Sequence, residues 1–363
     1  MISLGQRSNN IHGKINLMMR ILLLTISLLG MQAQSSEICS PLESYDEEQY
    51  SCTLGSGVVK LATQRNNYVQ IECEGLTIPC AEMPRFDFAG GLSLRSLSVE
   101  SCSPRFLRCV NDVINATSLE IVTLTRMTEP LTAEDVKNLG SVKALLILQA
   151  EVETSVPVSA IAAIPSLNHL RIGEGNLQLS PNIFQNSPPV KYLELRRDHL
   201  TSLPPDGLNG LGNLTELNVW GNNIEVISAG AFRGLISLIN LSLSRNSVKY
   251  KIEPGAFADT SKLKSIIISA DYLESVPNGL LQGLQHLKQF NIKANVIEVR
   301  LGSHAFSQLP RLQNIVITNS KINILQEDLF SGSVNIETIN LNANNITGLP
   351  TKIFRNLTNL KRL

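Results

Sequence analysis

The chain has 363 residues, 43% hydrophobic and 17% charged, with 31 basic residues against 31 acidic ones. This length ordinarily means two domains, and the absence of a basic excess argues against nucleic acid as a partner. Six cysteines, five histidines and a single tryptophan are its chemically distinctive residues.

Arg7, Lys14 and Arg20 precede an apolar run from Ile21 to Leu29, and Gly30-Met31-Gln32-Ala33 follows it. The run is too short to span a bilayer and small residues succeed it. Residues 1–33 therefore read as a secretory signal peptide, cleaved near Ala33 or Ser35. Met18 or Met19 would serve equally well as the start. No second apolar run approaches the length of a membrane span, so the processed chain reads as a soluble product of the secretory pathway.

All six cysteines lie between Cys39 and Cys109. An even number at one end of an exported chain reads as a disulfide framework. No C-x-x-C pair occurs and no histidine lies among them, so no metal site is expected. Residues 34–93 read as an N-terminal cap whose last strand begins at Tyr68. Cys73 and Cys80 are spaced like Cys102 and Cys109, and stacked strands lie about 5 Å apart. This predicts Cys73–Cys102 and Cys80–Cys109, leaving Cys39–Cys52, among the 15 connectivities that six cysteines allow.

From Leu94 onward one phrase recurs. Its clearest copies begin at Val190, Leu214 and Leu238: Leu214-Thr-Glu-Leu217-Asn-Val219-Trp-Gly-Asn222-Asn-Ile224 has apolar residues at places 1, 4, 6 and 11. Other copies begin at Leu94, Leu119, Val142, Leu167, Leu263, Leu287, Leu312 and Ile336, at intervals of 23 to 25 residues. Places 4 and 6 are two apart, the strand period, and point inward, whereas places 3, 5 and 7 point outward. Place 9 is Asp198, Asn222 or Asn246 in the clear copies, a short polar group able to satisfy backbone where the chain turns. The first four copies depart there, with Cys102, Met127, Ala150 and Gly175. Phe184, Phe232, Phe257, Phe306, Phe330 and Phe354 recur about once per turn and predict a buried spine.

This phrase resembles the leucine-rich repeat. The resemblance implies an α/β solenoid, a right-handed horseshoe with a parallel β-sheet on its concave side, closed by the disulfide-stapled cap. Residues 94–363 hold eleven full units, with a twelfth opening at Leu360. No cysteine-bearing cap follows, so a fragment of a longer protein is expected.

No catalytic constellation is apparent. His12 lies in the signal region, His169, His199, His286 and His304 fall in separate turns, and no phosphate loop, H-E-x-x-H or G-x-S-x-G occurs. No enzyme activity and no cofactor are expected. Sequons for N-glycosylation begin at Asn115, Asn213, Asn240, Asn345 and Asn356. Asn240 is at place 3, where a glycan would obstruct the sheet. The concave face is the natural binding surface of a solenoid. Arg171, Tyr192, Arg196, Arg197, Trp220 and Arg245 are its candidate contacts, because Trp, Tyr and Arg dominate interface energetics.

The cap phrases Tyr50-Ser-Cys52-Thr and Tyr68-Val-Gln-Ile-Glu-Cys73, together with Cys102 and Leu217-Asn-Val-Trp220-Gly-Asn222, resemble arthropod Toll receptor ectodomains. That resemblance implies a Spätzle-type cystine-knot cytokine as ligand, recognised by the N-terminal concave region. It also implies a receptor dimer, a membrane helix in a C-terminal region not present here, and a TIR domain signalling in innate immunity or development. The chain would then lie on the extracellular side of the plasma membrane. The alternative is a secreted adhesion or matrix protein, or a non-catalytic partner subunit of a secreted enzyme.

Overall fold

The computed structural model describes residues 38–42, 48–54, 57–64, 68–74, 94–108, 118–149 and 156–363. The expected signal peptide, residues 1–33, lies outside them, with much of residues 34–93, Cys80, Cys109, Asn115 and Ala150, as do the side chains of Cys39 and Cys52.

The strands in chain order are β1 (Ile38–Leu42), β2 (Glu48–Leu54), β3 (Gly57–Gln64), β4 (Tyr68–Glu74), β5 (Ser96–Glu100), β6 (Ile121–Thr125), β7 (Ala144–Leu148), β8 (His169–Gly173), β9 (Tyr192–Arg196), β10 (Ser202–Leu203), β11 (Glu216–Trp220), β12 (Val226–Ile227), β13 (Asn240–Ser244), β14 (Lys251–Ile252), β15 (Ser265–Ser269), β16 (Ser275–Val276), β17 (Gln289–Lys293), β18 (Arg300–Leu301), β19 (Asn314–Thr318) and β20 (Thr338–Asn340). Fifteen of them form one sheet, ordered β1 to β9, then β11, β13, β15, β17, β19 and β20. In the cap, β2, β3 and β4 pair antiparallel. At β4 the sheet changes character: Tyr68 pairs with Ser96 in parallel, as expected for the cap's last strand. From there each strand pairs with the homologous places of its neighbours, Leu217 lying between Leu193 and Leu241.

The repeat phrase explains this register. Strands such as β6, β7, β9, β11 and β15 cover places 3 to 7 and alternate half-buried and buried residues. Leu217 and Val219 point into the core while Glu216, Asn218 and Trp220 face outward. A one-residue slip would reverse the two faces, so the apolar pattern holds each strand in place. The N–H of place 2 donates to the place-2 carbonyl of the preceding turn, as in Thr215 to Lys191, Ile239 to Thr215 and Lys264 to Ile239. The ladder reaches the twelfth unit, where Lys361 donates to Glu337 at 2.8 Å. This is a solenoid whose sheet is parallel from β4 onward, as the repeat phrase predicts, with Cys73 bonded to Cys102 across β4 and the turn after β5.

Place 8 shows what the phrase alone did not. Ser101, Arg126, Gln149, Glu174, Arg197, Gly221, Arg245, Ala270, Ala294, Asn319 and Ala343 all have positive φ. The left-handed residue turns the chain inward and aims its N–H along the stack: Arg197 donates to the Trp220 carbonyl at 2.8 Å and Gly221 to that of Ser244 at 2.9 Å. A left-handed non-glycine residue costs about 1–2 kcal/mol, which this repeated hydrogen bond helps to offset.

Place 9 then closes the turn. Asn222 accepts from the N–H of Asp198 and of Leu200 and donates to the carbonyls of Leu195 and Trp220. Asn246, Asn295 and Asn344 do equivalent work in later turns. The return segments differ along the stack. In the first repeats they hold helical pieces, α1 (Ala133–Val136) and α2 (Val158–Ala162), whereas later ones use tight turns and two-residue strands. Phe232 stacks on Phe257 at 5.3 Å, and Phe306 on Phe330 on Phe354 at 6.0 and 6.3 Å. Buried Leu208 takes the corresponding turn between Phe184 and Phe232, and buried Leu281 the one between the two runs, so the spine is interrupted.

Candidate functional site on the sheet face

Three outward rows cross β6 to β15. The place-3 row runs Ile121, Ala144, His169, Tyr192, Glu216, Asn240, Ser265. The place-5 row runs Thr123, Leu146, Arg171, Glu194, Asn218, Ser242, Ile267, and the place-7 row Thr125, Leu148, Gly173, Arg196, Trp220, Ser244, Ser269. The face thus passes from uncharged residues on β6 and apolar ones on β7, through charged and aromatic ones on β8, β9 and β11, to neutral, mostly small ones on β13 and β15.

The six candidate contacts divide into two groups. Arg171 and Tyr192 belong to a closed network. The His169 ring stacks on Tyr192 with centroids 4.0 Å apart. The Tyr192 hydroxyl donates to Glu194 at 3.0 Å and accepts from Asn218 at 2.8 Å. Glu194 also accepts from Arg171 Nε at 2.9 Å, and Arg171 completes the pair through a second nitrogen at 2.8 Å. Burial, followed by the Arg171 charge, lowers the His169 pKa, and burial first among several causes raises that of Tyr192. A neutral imidazole therefore packs against a neutral phenol, and Arg171 has its charge matched within the protein.

The second group gathers around Trp220. The guanidinium carbons of Arg197, Arg196 and Arg245 lie 4.6, 4.8 and 5.3 Å from its ring centroid. Arg196 reaches from the adjacent strand at the same place and pairs with Glu174 at 3.5 Å. Arg197 and Arg245 come from place 8 of the preceding and following turns. Both are exposed, and among the described residues neither forms an ion pair. Cation–π contact of this kind contributes about 0.5–1 kcal/mol per arginine at exposed sites.

Two glycines make room. A Cβ on Gly221, which has φ +70°, would come 2.9 Å from Arg197 Cγ, where that side chain runs toward the indole. A Cβ on Gly173 would meet the Arg196 carbonyl at 2.5 Å and the Arg196 Cβ at 3.1 Å, so this buried place favours glycine and lets Arg196 pack directly against it.

The sequence placed Arg197 and Arg245 on the face without the place-8 geometry that brings them together. It set His169 apart in its own turn and so missed its stack on Tyr192 and the links of Tyr192 to Glu194 and Asn218. The available signal was the adjacency of His169, Tyr192 and Glu216 in one row. Among the sequon asparagines Asn213, Asn240, Asn345 and Asn356 are exposed, and Asn240 stands on the sheet beside Glu216. Among the described residues no cluster of three or more His, Cys, Asp or Glu is placed to hold a metal ion, and no helix is long and apolar enough to cross a membrane.

Two family models match, Leucine rich repeat over residues 212–273 and BspA type Leucine rich repeat region over residues 275–363. Toll-like receptor 5 of Homo sapiens is 31% identical over 117 residues, 30% of this chain and 14% of the receptor. Toll-like receptor 7 of Drosophila melanogaster is 31% identical over 115 residues, 30% of this chain and 8% of the receptor. Decorin of Equus caballus is 36% identical over 77 residues, 21% of this chain and 20% of Decorin. In fold, a chain of the Drosophila Toll–Spatzle complex superposes with TM-score 0.68 at 20% identity, covering 92% of this chain and 48% of that one. A chain of the TLR13–ssRNA13 complex gives TM-score 0.60 at 20% identity over 74% of this chain and 42% of that one, so the fold does not by itself exclude an RNA ligand. The chain therefore spans a small part of the receptors it matches in sequence and about half of the Toll chain it matches in fold. Its repeats are leucine-rich repeats, and the chain resembles the ectodomain of a Toll receptor.

Proposed function

We propose that this chain is the ligand-binding arm of a Toll-type receptor, recognising a protein ligand on the extracellular side of the plasma membrane. The observation that carries the reading is the joined architecture of stapled cap and long parallel sheet, which superposes on the Toll chain over 92% of this one. Residues 1–33 direct export, residues 34–93 cap the stack and residues 94–363 present the face. Recognition is the mechanism. Rigid repeats hold Tyr192, Arg196, Arg197, Trp220 and Arg245 in fixed relation, so binding orders little of the scaffold and loses little entropy. A Spätzle-type cystine-knot cytokine is the ligand of choice, with a receptor dimer as the signalling assembly. Glycans at Asn213, Asn345 and Asn356 would lie on exposed surface, and one at Asn240 would cover part of the sheet.

The test is the transcript beyond codon 363 together with a titration. A membrane helix and TIR domain, with saturable cytokine binding to the secreted chain, are expected. A stop codon after a short cysteine-bearing cap would remove the signalling role. The second reading, a secreted repeat protein without signalling, draws on the similarity to Decorin, whose 36% identity exceeds that of either receptor.

A further inference from the structure

We infer that the Trp220 cluster takes an acidic segment of a protein ligand, whose carboxylates pair with Arg197 and Arg245 beside the indole. The inference rests on the protein-recognition reading and names the chemistry that the face selects. Three guanidiniums converge on one ring, yet the carboxylate that reaches the group, Glu174, pairs with Arg196. Like charges held this close repel one another, and the two exposed arginines are left with their charge unmatched among the described residues. An arriving carboxylate relieves that repulsion and meets donors already oriented by the ring, so fewer side-chain rotamers are lost on binding.

The surroundings select among anions. A nucleic acid or sulfated glycan needs a continuous basic track. Here Glu174 and Glu194 lie on the preceding side, Glu216 shares β11 with Trp220, and Ser242, Ser244, Ser265 and Ser269 follow. The surplus positive charge is therefore local, the size of one or two acidic side chains. Three strand spacings away, about 14 Å, half-buried Leu146 and Leu148 on β7 offer an apolar contact. Carboxylates at one end and an apolar side chain at the other describe a protein segment.

Trp220 is the chain's single tryptophan and reports on the site directly. The probe is a fluorescein-labelled peptide of alternating glutamate and serine, followed by anisotropy and by Trp220 emission, with a lysine–serine peptide and heparin as comparisons. Saturable binding of the glutamate peptide that weakens with salt is expected, with affinity about fivefold to tenfold lower in Arg197→Gln/Arg245→Gln. Arg233→Gln, an exposed arginine of the return segment after β12 that pairs with Asp206, should leave it within about twofold. Circular dichroism establishes that each variant is folded. Equal binding by wild type and Arg197→Gln/Arg245→Gln, equal binding of the lysine peptide, or no saturable binding would overturn the inference. So would tight heparin binding without peptide binding, which would make the occupant a glycan. A cytokine that binds wild type and the double variant alike would also sink the acidic-ligand inference while leaving protein recognition intact. A chain that binds the peptide but no cytokine would instead count against the receptor reading.

Discussion

Asp198→Asn should stabilise this protein at neutral and alkaline pH. Asp198 opens the place-9 series and is 1% exposed. Its Oδ1 accepts from the Gly175 N–H at 3.3 Å, but Oδ2 is buried with no partner. One turn later Asn222 directs an amide nitrogen at the carbonyls of Leu195 and Trp220, at 3.2 and 3.3 Å. The corresponding carbonyls for residue 198 are those of Ile172 and Arg196, toward which a carboxylate has no proton to offer. Burial raises the Asp198 pKa from 3.8 to about 7, opposed in part by backbone groups of Gly175 and Arg196. A carboxyl whose pKa is higher folded than unfolded contributes stability below the unfolded value. That contribution is lost as pH rises toward 7, because the unfolded chain ionises first. A rise from 3.8 to about 7 amounts to about 4 kcal/mol at the ceiling. Partial hydration reduces this, and the new amide hydrogen bond adds about 1 kcal/mol. The expected gain for Asp198→Asn is therefore about 2–4 kcal/mol at pH 8, falling to about 1 kcal/mol near pH 4. Urea unfolding followed by Trp220 emission reads it locally, which suits a solenoid whose repeats need not unfold together. A gap between wild type and variant that stays constant from pH 4 to pH 8, or a less stable variant at pH 8, would refute the argument.

Asp271 holds the same place but is better served, accepting from the N–H of Asn246 and Tyr272 and from the Tyr250 hydroxyl at 3.0 Å, and its pKa rises to about 6. Tyr250→Phe removes the donor to a buried carboxylate and should cost about 1–3 kcal/mol, more at pH 8 than at pH 5, measured by urea midpoints. Gly173→Ala forces a Cβ into the Arg196 carbonyl. It should destabilise by about 1–3 kcal/mol and shift Trp220 emission, because the strand carrying Arg196 must move; an unchanged spectrum would show that the contact is absorbed elsewhere. Phe306→Ala opens a void between Phe290 and Phe330 and should cost about 3–5 kcal/mol. Limited proteolysis should then cut first within the C-terminal repeats while Trp220 keeps its native emission.

How much of this was legible beforehand depends on the distance over which each cause acts. The interval of 23 to 25 residues and the apolar places 1, 4, 6 and 11 are local properties of the chain, and they suffice to assign strands, register and inward faces. The Cys73–Cys102 bond follows because nearly the same place in adjacent turns is adjacent in space. Place 9 was legible as a polar group inside the turn, since a buried backbone demands a partner.

The site depended on more. The repeat placed Arg197 and Arg245 near the face, but only the left-handed conformation of place 8 turns them onto Trp220 from two neighbouring turns. The split between a self-satisfied Arg171–Glu194–Tyr192 network and an unmatched arginine pair depends on side-chain reach across strands, which spacing does not encode. The missing partner of Asp198 likewise arises from what the preceding turn offers. By itself the sequence determined the solenoid, its register and its outward face, because the repeat imposes the same short-range constraint in every turn. Only the tertiary structure decided which charges on that face are matched within the protein and which are left unmatched among the described residues, because that balance is struck between side chains about 24 residues apart that meet across the stack.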